Sequence, residues 1–169
     1  MVDIGSLLEV TTLDVVLIAI LLVLVYRWYK RQNEPEIARD IPKPVAPLKM
    51  TDMTVDELKK YNGEDDEHIL LACDRIIFDV SRSTSFYGKG GAYEKLAGHD
   101  ATRALSVMDA NLVKEEWDDY AGLTDDQKDT SNEWRDSFLG KYPTVGRLVE
   151  KENLKKNYED RVAGIRSLN

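Results

Sequence analysis

The residues with the most chemical potential are tyrosines set around glycines. In Ser85-Phe-Tyr-Gly-Lys-Gly-Gly-Ala-Tyr-Glu-Lys-Leu-Ala-Gly-His-Asp-Ala101, Tyr87 and Tyr93 stand six apart on either side of Gly88, Gly90 and Gly91. Glycines let a backbone approach a large flat ligand closely. A tyrosine in such a stretch has three uses. It packs in a core, it donates a hydrogen bond from a pocket wall, or as phenolate it ligates ferric haem iron. Other chemistries are poorly supplied. One cysteine, Cys73, rules out an internal disulfide framework and a multi-cysteine metal site. Two histidines, His68 and His99, support neither a histidine-built metal site nor a nucleophile–base set. His99 lies beside the expected helix cap Asp100, and His68 opens an expected strand. Gly88-Lys-Gly-Gly91 lacks the Gly-Lys-Ser/Thr ending of a phosphate loop. The acidic pairs Asp65-Asp66, Asp118-Asp119 and Asp125-Asp126 lack calcium-loop spacing. With no activated nucleophile or base in view, a binding protein rather than an enzyme is expected.

The elements that must position these tyrosines read as a small α+β domain starting near Met50. Thr54-Val-Asp-Glu57 is a capping box opening a short helix over 55–61 that ends at Asn62-Gly63. The apolar, β-branched runs 68–73 and 75–80 flank a tight turn at Cys73-Asp74-Arg75, a hairpin signal. Residues 81–91 read as a loop. Short helices are expected over 92–96, over 101–107 behind Asp100, and over 112–120. A second capping box, Thr124-Asp-Asp-Gln127, opens a helix to about Leu139. Residues 141–149 read as a closing strand. In the charged tail, 150–169, Leu154, Tyr158, Val162 and Ile165 recur at helical spacing, so it is a weak amphipathic helix or disordered.

Composition divides the chain of 169 residues in two. Its mean hydropathy of −0.41 conceals Val15–Tyr26, an unbroken apolar run. Extended to 10–29, the run has the roughly 20 residues of a membrane-spanning helix. Tyr26, Trp28 and Tyr29 form an aromatic belt at its end, followed by Lys30 and Arg31, while the N-terminal side carries only acids. The positive-inside rule then places 1–9 in the lumen or outside and the rest in the cytosol. A cleaved signal peptide would show bases first and a small-residue site afterwards, the reverse of this order. Residues 30–49 hold four of the five prolines and read as a linker. Acids and bases balance within 1–50, so the whole net charge of −8 belongs to the remainder. So acidic a domain is a poor partner for nucleic acid.

From about Met50 to Val149 the chain resembles the membrane-associated progesterone receptor component family, a branch of the cytochrome b5-like haem/steroid-binding domains. The pieces that carry the resemblance occur in the family's order. They are Met53-Thr-Val-Asp-Glu-Leu58, Tyr61-Asn-Gly63, Ile77-Phe-Asp-Val-Ser81, Phe86-Tyr-Gly88, Gly91-Ala-Tyr93, Leu96-Ala-Gly-His-Asp-Ala101, Leu123-Thr124 and Lys141-Tyr-Pro-Thr-Val-Gly146. The resemblance implies a cytochrome b5-like fold in 50–149 behind a single N-terminal transmembrane helix. Ordinary b5 domains carry His-Pro-Gly-Gly, whose histidine is one of two axial haem ligands; here Tyr-Gly-Lys-Gly-Gly stands in its place.

By resemblance, Tyr93 is the axial ligand of a five-coordinate, non-covalent b-type haem. Tyr87 would hydrogen-bond the ligand or line the pocket, and Lys141 with Tyr142 would reach the propionates and the rim. The resemblance further implies an adaptor for cytochrome P450 enzymes or other membrane proteins at the endoplasmic reticulum or the plasma membrane. It also implies steroid binding and a haem-mediated homodimer. The alternatives are b5-type electron transfer, against which the missing His-Pro-Gly-Gly speaks, and a haem-independent scaffold or receptor.

Overall fold

A computed structural model of the chain describes residues 12–33, 45–165 and 168, with side chains of the first helix described over 14–29. It divides into two units, 1–41 and 42–169. The first unit contains α1, Thr12–Asn33, whose side chains over 14–29 are exposed. Among the described residues no helix is long and apolar enough to cross a membrane. Val10, Thr11, the N-terminal segment 1–9 and linker residues 34–44 lie outside the described residues.

The second unit is built on three four-residue antiparallel strands in the order β1 (Leu70–Cys73), β2 (Ile76–Asp79), β3 (Thr144–Arg147). All of β1 is buried because the sheet is covered on both faces. Successive side chains alternate sides, so Leu71 and Cys73 enter one core and Leu70 and Ala72 the other. The first core, with Phe78, Tyr87, Leu96, Leu105, Phe138 and Tyr142, is the one that supports the tyrosines. The hairpin turn is narrower than expected. Asp74 and Arg75 alone form it, both with positive φ, as a two-residue hairpin turn of the primed type requires.

The helices are shorter than the sequence suggests, except the last. Helix α2 spans only Val55–Leu58, opened by the Glu57 carboxylate accepting the Thr54 backbone N–H at 2.8 Å. The expected loop 81–91 contains a 3₁₀ turn, Ser81–Ser83, and helix α3, Thr84–Tyr87. The expected helix 92–96 is a 3₁₀ turn over Glu94–Leu96, and α4 covers Thr102–Ser106. The largest departure is 112–120, where no α-helix forms; a 3₁₀ turn, Ala110–Leu112, leads into an irregular strap.

Polar anchoring explains the strap. Arg103 grips the Asp118 carboxylate with two bonds of 2.5 and 2.7 Å, and Lys114 adds a third at 3.0 Å. Arg103 foremost therefore holds that carboxyl far below the usual range, despite burial. The Arg75 guanidinium lies 3.6 Å from the Trp117 ring centroid and 4.0 Å from that of Tyr120, while donating to the Asp118 carbonyl and Asp100. These long-range partners outbid local helical bonds. Helix α5, Asp125–Lys141, has the expected Thr124–Gln127 capping box but runs through Lys141, so the closing strand begins later than read.

The tail is neither an amphipathic helix nor detached. It carries a 3₁₀ turn, Glu152–Leu154, and then runs alongside the domain's entry. Met50 donates to the Arg161 carbonyl at 2.7 Å, and Ala163 to that of Leu48 at 2.7 Å. Asp52, only 2% exposed, fastens it: its carboxylate accepts the backbone N–H of Arg147 at 2.7 Å, that of Lys156 at 2.9 Å and the Tyr158 hydroxyl at 2.6 Å. The domain therefore begins before Met50 and continues past Val149.

His68 pins the same entry. Its ring nitrogens face the Asp66 carboxylate at 2.6 Å and the Ala46 carbonyl at 2.9 Å. Both partners only accept, so the ring donates from both nitrogens as an imidazolium. Burial opposes that charge, but the bonds to Ala46 and Asp66 outweigh it and raise the pKa.

Two outcomes follow from this clasp. Asp52→Ala removes the acceptor of three part-buried bonds at once and costs about 2–3 kcal/mol, whereas Tyr158→Phe costs about 1 kcal/mol; denaturant midpoints of the two variants measure the difference, and equal effects would refute the clasp. A raised folded pKa makes the His68 contribution fully present below its unfolded value of about 6.5 and lost as pH rises through the folded value. The stability advantage of the wild type over His68→Gln therefore shrinks as pH rises above about 6.5, and a constant advantage contradicts a charged ring.

Candidate functional site

Five rings connect the sheet to the surface. Phe78 on β2 meets Phe138 of α5 with centroids 5.5 Å apart, and Phe138 meets Tyr142 at 5.5 Å. Tyr142 meets Tyr87 at 6.3 Å, and Tyr87 meets Tyr93 at 6.2 Å. The angles between successive rings, 71°, 71°, 80° and 36°, include three edge-to-face pairs, which the ring quadrupoles favour. Tyr87 and Tyr142 are buried within the series, while Tyr93 at its end is 41% exposed. The Tyr142 hydroxyl is 3.1 Å from Ser83 Oγ. Burial, reinforced by Tyr142, pushes the Tyr87 phenol well above its usual range, so it stays protonated.

The local fold accounts for this placement. Helix α3 ends when Gly88 donates to the Thr84 carbonyl at 2.8 Å. The chain then doubles back, with Gly91 donating to Gly88 at 2.9 Å and Tyr93 to the Phe86 carbonyl at 2.9 Å. A Cβ on Gly91 would lie 2.4 Å from the Phe86 carbonyl oxygen. The expected use of these glycines, close approach to a ligand, is thus corrected in part: Gly91 is needed so that the loop can pack on itself. That folding sets Tyr93 beside Tyr87. Lys89 is turned away to an ion pair with Glu64 at 2.6 Å.

Beside Tyr93 is a cleft of about 50 Å³. Its walls are Tyr93 and Leu96, then Ala104, Leu105 and Met108 at the end of α4, and Trp134 from α5. Exposed Phe86, Met108 and Leu112 extend the apolar character of the surface. The other residues expected at the site fall into two groups. Tyr87 and Tyr142 back Tyr93 through successive ring contacts without lining the cleft, and Lys141, the last residue of α5, places Nζ 5.0 Å from the Tyr142 ring. His99 is occupied elsewhere, its ring nitrogens 2.7 Å from the Ala97 carbonyl and 3.2 Å from Glu115. His68 belongs to the domain entry. Cys73 is buried, and burial drives its thiol pKa upward. Among the described residues no group of three or more His, Cys, Asp or Glu is placed to hold a metal ion.

Sequence reading missed Trp134, Leu105 and Met108. Trp134 had a readable signal, since Ser131, Trp134, Phe138 and Tyr142 recur at intervals that fall on one side of a helix. The donor set of the cleft fits a tetrapyrrole. It offers one surface phenol and aliphatic and indole walls, with the Asp109 carboxylate at its edge; the Lys141 ammonium, beside Tyr142 and outside the lining, is of the kind that pairs with a carboxylate. The cleft is smaller than the few hundred Å³ of ordinary ligand pockets, so entry requires the exposed rim side chains to swing outward.

The fold is that of a cytochrome b5-like domain: the family model described as "Cytochrome b5-like Heme/Steroid binding domain" matches residues 54–149. A solved structure, the putative steroid-binding protein from Arabidopsis, aligns with a TM-score of 0.52 and 39% identity over 62% of this chain and 99% of its own. Protein vem-1 of Caenorhabditis elegans is 47% identical over 97% of this chain and 88% of its own. Human membrane-associated progesterone receptor component 2 is 32% identical, covering 88% and 70%. The cytochrome P450 regulator dap1 of Schizosaccharomyces pombe is 35% identical, covering 76% and 80%. The chain belongs to the membrane-associated progesterone receptor component family, within the cytochrome b5-like class.

Proposed function

We propose that this chain is a membrane-anchored haem-binding adaptor that acts on membrane enzymes of the cytochrome P450 kind. The observation that supports it best is a single half-exposed phenol, Tyr93, that lines a largely apolar cleft and is backed, away from the cleft, by two buried tyrosines in successive ring contact. A phenolate is a hard, anionic donor, so iron haem held by it would favour the ferric state. Tyr93 supplies that oxygen, because its neighbour Tyr87 is kept protonated by burial. Tyr87 then serves as a hydrogen-bond donor and packing surface. Tyr142, oriented by Ser83, supports Tyr87, and Lys141 offers its ammonium to a propionate. No histidine lines the cleft, which favours this reading over b5-type electron transfer.

Binding rather than catalysis suits a site with no nucleophile–base pair. The dap1 relative is named a cytochrome P450 regulator, and two chains tethered to one membrane meet at raised effective concentration. Steroid binding at the same apolar rim agrees with the relatives named steroid-binding proteins. In the proposed topology the run Val15–Tyr26 anchors the chain and the acidic domain faces the cytosol, at the endoplasmic reticulum or the plasma membrane. A negative face there would complement basic docking surfaces.

Two measurements test the reading. The full chain in lipid nanodiscs takes up hemin with a high-spin, tyrosinate-type ferric spectrum, which Tyr93→Phe abolishes. A six-coordinate low-spin spectrum, or one unchanged in the variant, would overturn it. In sealed microsomes added protease degrades residues 45–169, and protection of that domain refutes the cytosolic placement.

A further inference from the structure

Helix α4 ends in a Schellman motif with an unusual occupant. Asp109 donates to the Ala104 carbonyl at 2.9 Å and Met108 to the Leu105 carbonyl at 3.3 Å, the paired bonds of that motif. The residue between helix and exit takes the left-handed conformation, and glycine ordinarily fills it. Here it is Met108, with φ of +58°. A side chain in that region crowds its own backbone, so glycine would be the more stable choice. The cost is not offset by packing, because Met108 is 70% exposed, more than any other large apolar residue described in the chain. Yet the strained, exposed side chain stands in the wall of the cleft that Tyr93 also lines. Backbone strain of this kind gathers at ligand clamps.

We propose that Met108 is a ligand-contacting residue of this cleft. Its flexible, polarisable thioether packs against the face or edge of a flat aromatic macrocycle and covers it from the α4 side. The reaching side chain is what the unfavourable backbone is kept for. Sulfur–aromatic contact suits a long unbranched side chain that must adapt to a ligand entering from the surface. The inference rests on the tetrapyrrole reading of the site, but it does not depend on iron, since the contact is with the ring system.

Metal-free protoporphyrin IX is therefore the probe, used beside hemin, with the full chain in lipid nanodiscs. Met108→Gly raises the melting temperature of the ligand-free protein by about 2–4 °C and weakens protoporphyrin IX binding about tenfold. Met108→Leu, which keeps bulk but also the strain, stays within about threefold of wild-type affinity and gains no thermal stability. Bound protoporphyrin IX also slows sulfoxide formation at Met108 by peroxide in the dark, with buried Met53 as the internal reference. A Met108→Gly variant that binds like wild type, or one that melts lower, overturns the proposal. So does unchanged oxidation of Met108 on loading. If the wild type binds neither protoporphyrin IX nor hemin, the tetrapyrrole reading itself fails, a result distinct from binding that ignores Met108.

Discussion

The site depends on an aromatic series that begins in the sheet and ends in solvent. Phe78, Phe138, Tyr142, Tyr87 and Tyr93 are linked by successive ring contacts of 5.5 to 6.3 Å. The rings are set by β2, by α5 and its C-terminal cap, by α3 and by the loop that follows. None of the four buried rings can shift alone without opening a gap in a close-packed interior. The series therefore transmits the rigidity of a very small sheet to a surface loop with little regular structure of its own. That is how four-residue strands suffice to position a phenol some distance away.

Polarity increases along the same series, and burial divides the labour between two chemically identical side chains. Tyr87 and Tyr93 lie 6.2 Å apart, yet one is enclosed and the other open. Enclosure raises the cost of a phenolate, so Tyr87 retains its proton. Of the two phenols only that of Tyr93 is open to a ligand at the cleft, beside the Asp109 carboxylate, which accepts from Asn111. Had both phenols been equally exposed, the site would not distinguish ligand from hydrogen-bond donor.

Much of this was legible in the sequence, and the failures share a cause. The hairpin, the capping box of α5 and the tyrosine–glycine stretch were readable because their signals are local. Thr124 and Gln127 satisfy each other within four residues. The strap over 112–123 was not, because its conformation is decided by Arg75, Asp100 and Arg103, up to 43 residues away. The tail was misjudged for the same reason. Its apolar spacing suggested a helix, but Asp52, 104 residues from Lys156, draws its backbone out into an extended course. Buried carboxylates with several distant donors leave no mark in a periodicity. The cleft's Met108 was invisible for the opposite reason: a helix stop is read from glycine or asparagine, and here the expected residue is missing.

The clasp at the domain entry gives these long-range contacts a common purpose. Ala46, Lys49 and Met50 are tied to His68, Asp160 and Arg161, and the tail that supplies two of those partners is itself fastened by Asp52. Chain entry and chain exit are thereby joined at one place on the domain. The exposed Lys49–Asp160 pair adds little by itself. The part-buried bonds to Asp52 carry the attachment, because losing them leaves a carboxylate that is itself buried without its partners. Within the domain the loop bearing Tyr93 is held separately, by the aromatic series that starts from Phe78. The clasp meets the sheet at Arg147 of β3 and the aromatic series at Phe78 of β2, so opening the cleft need not loosen the entry.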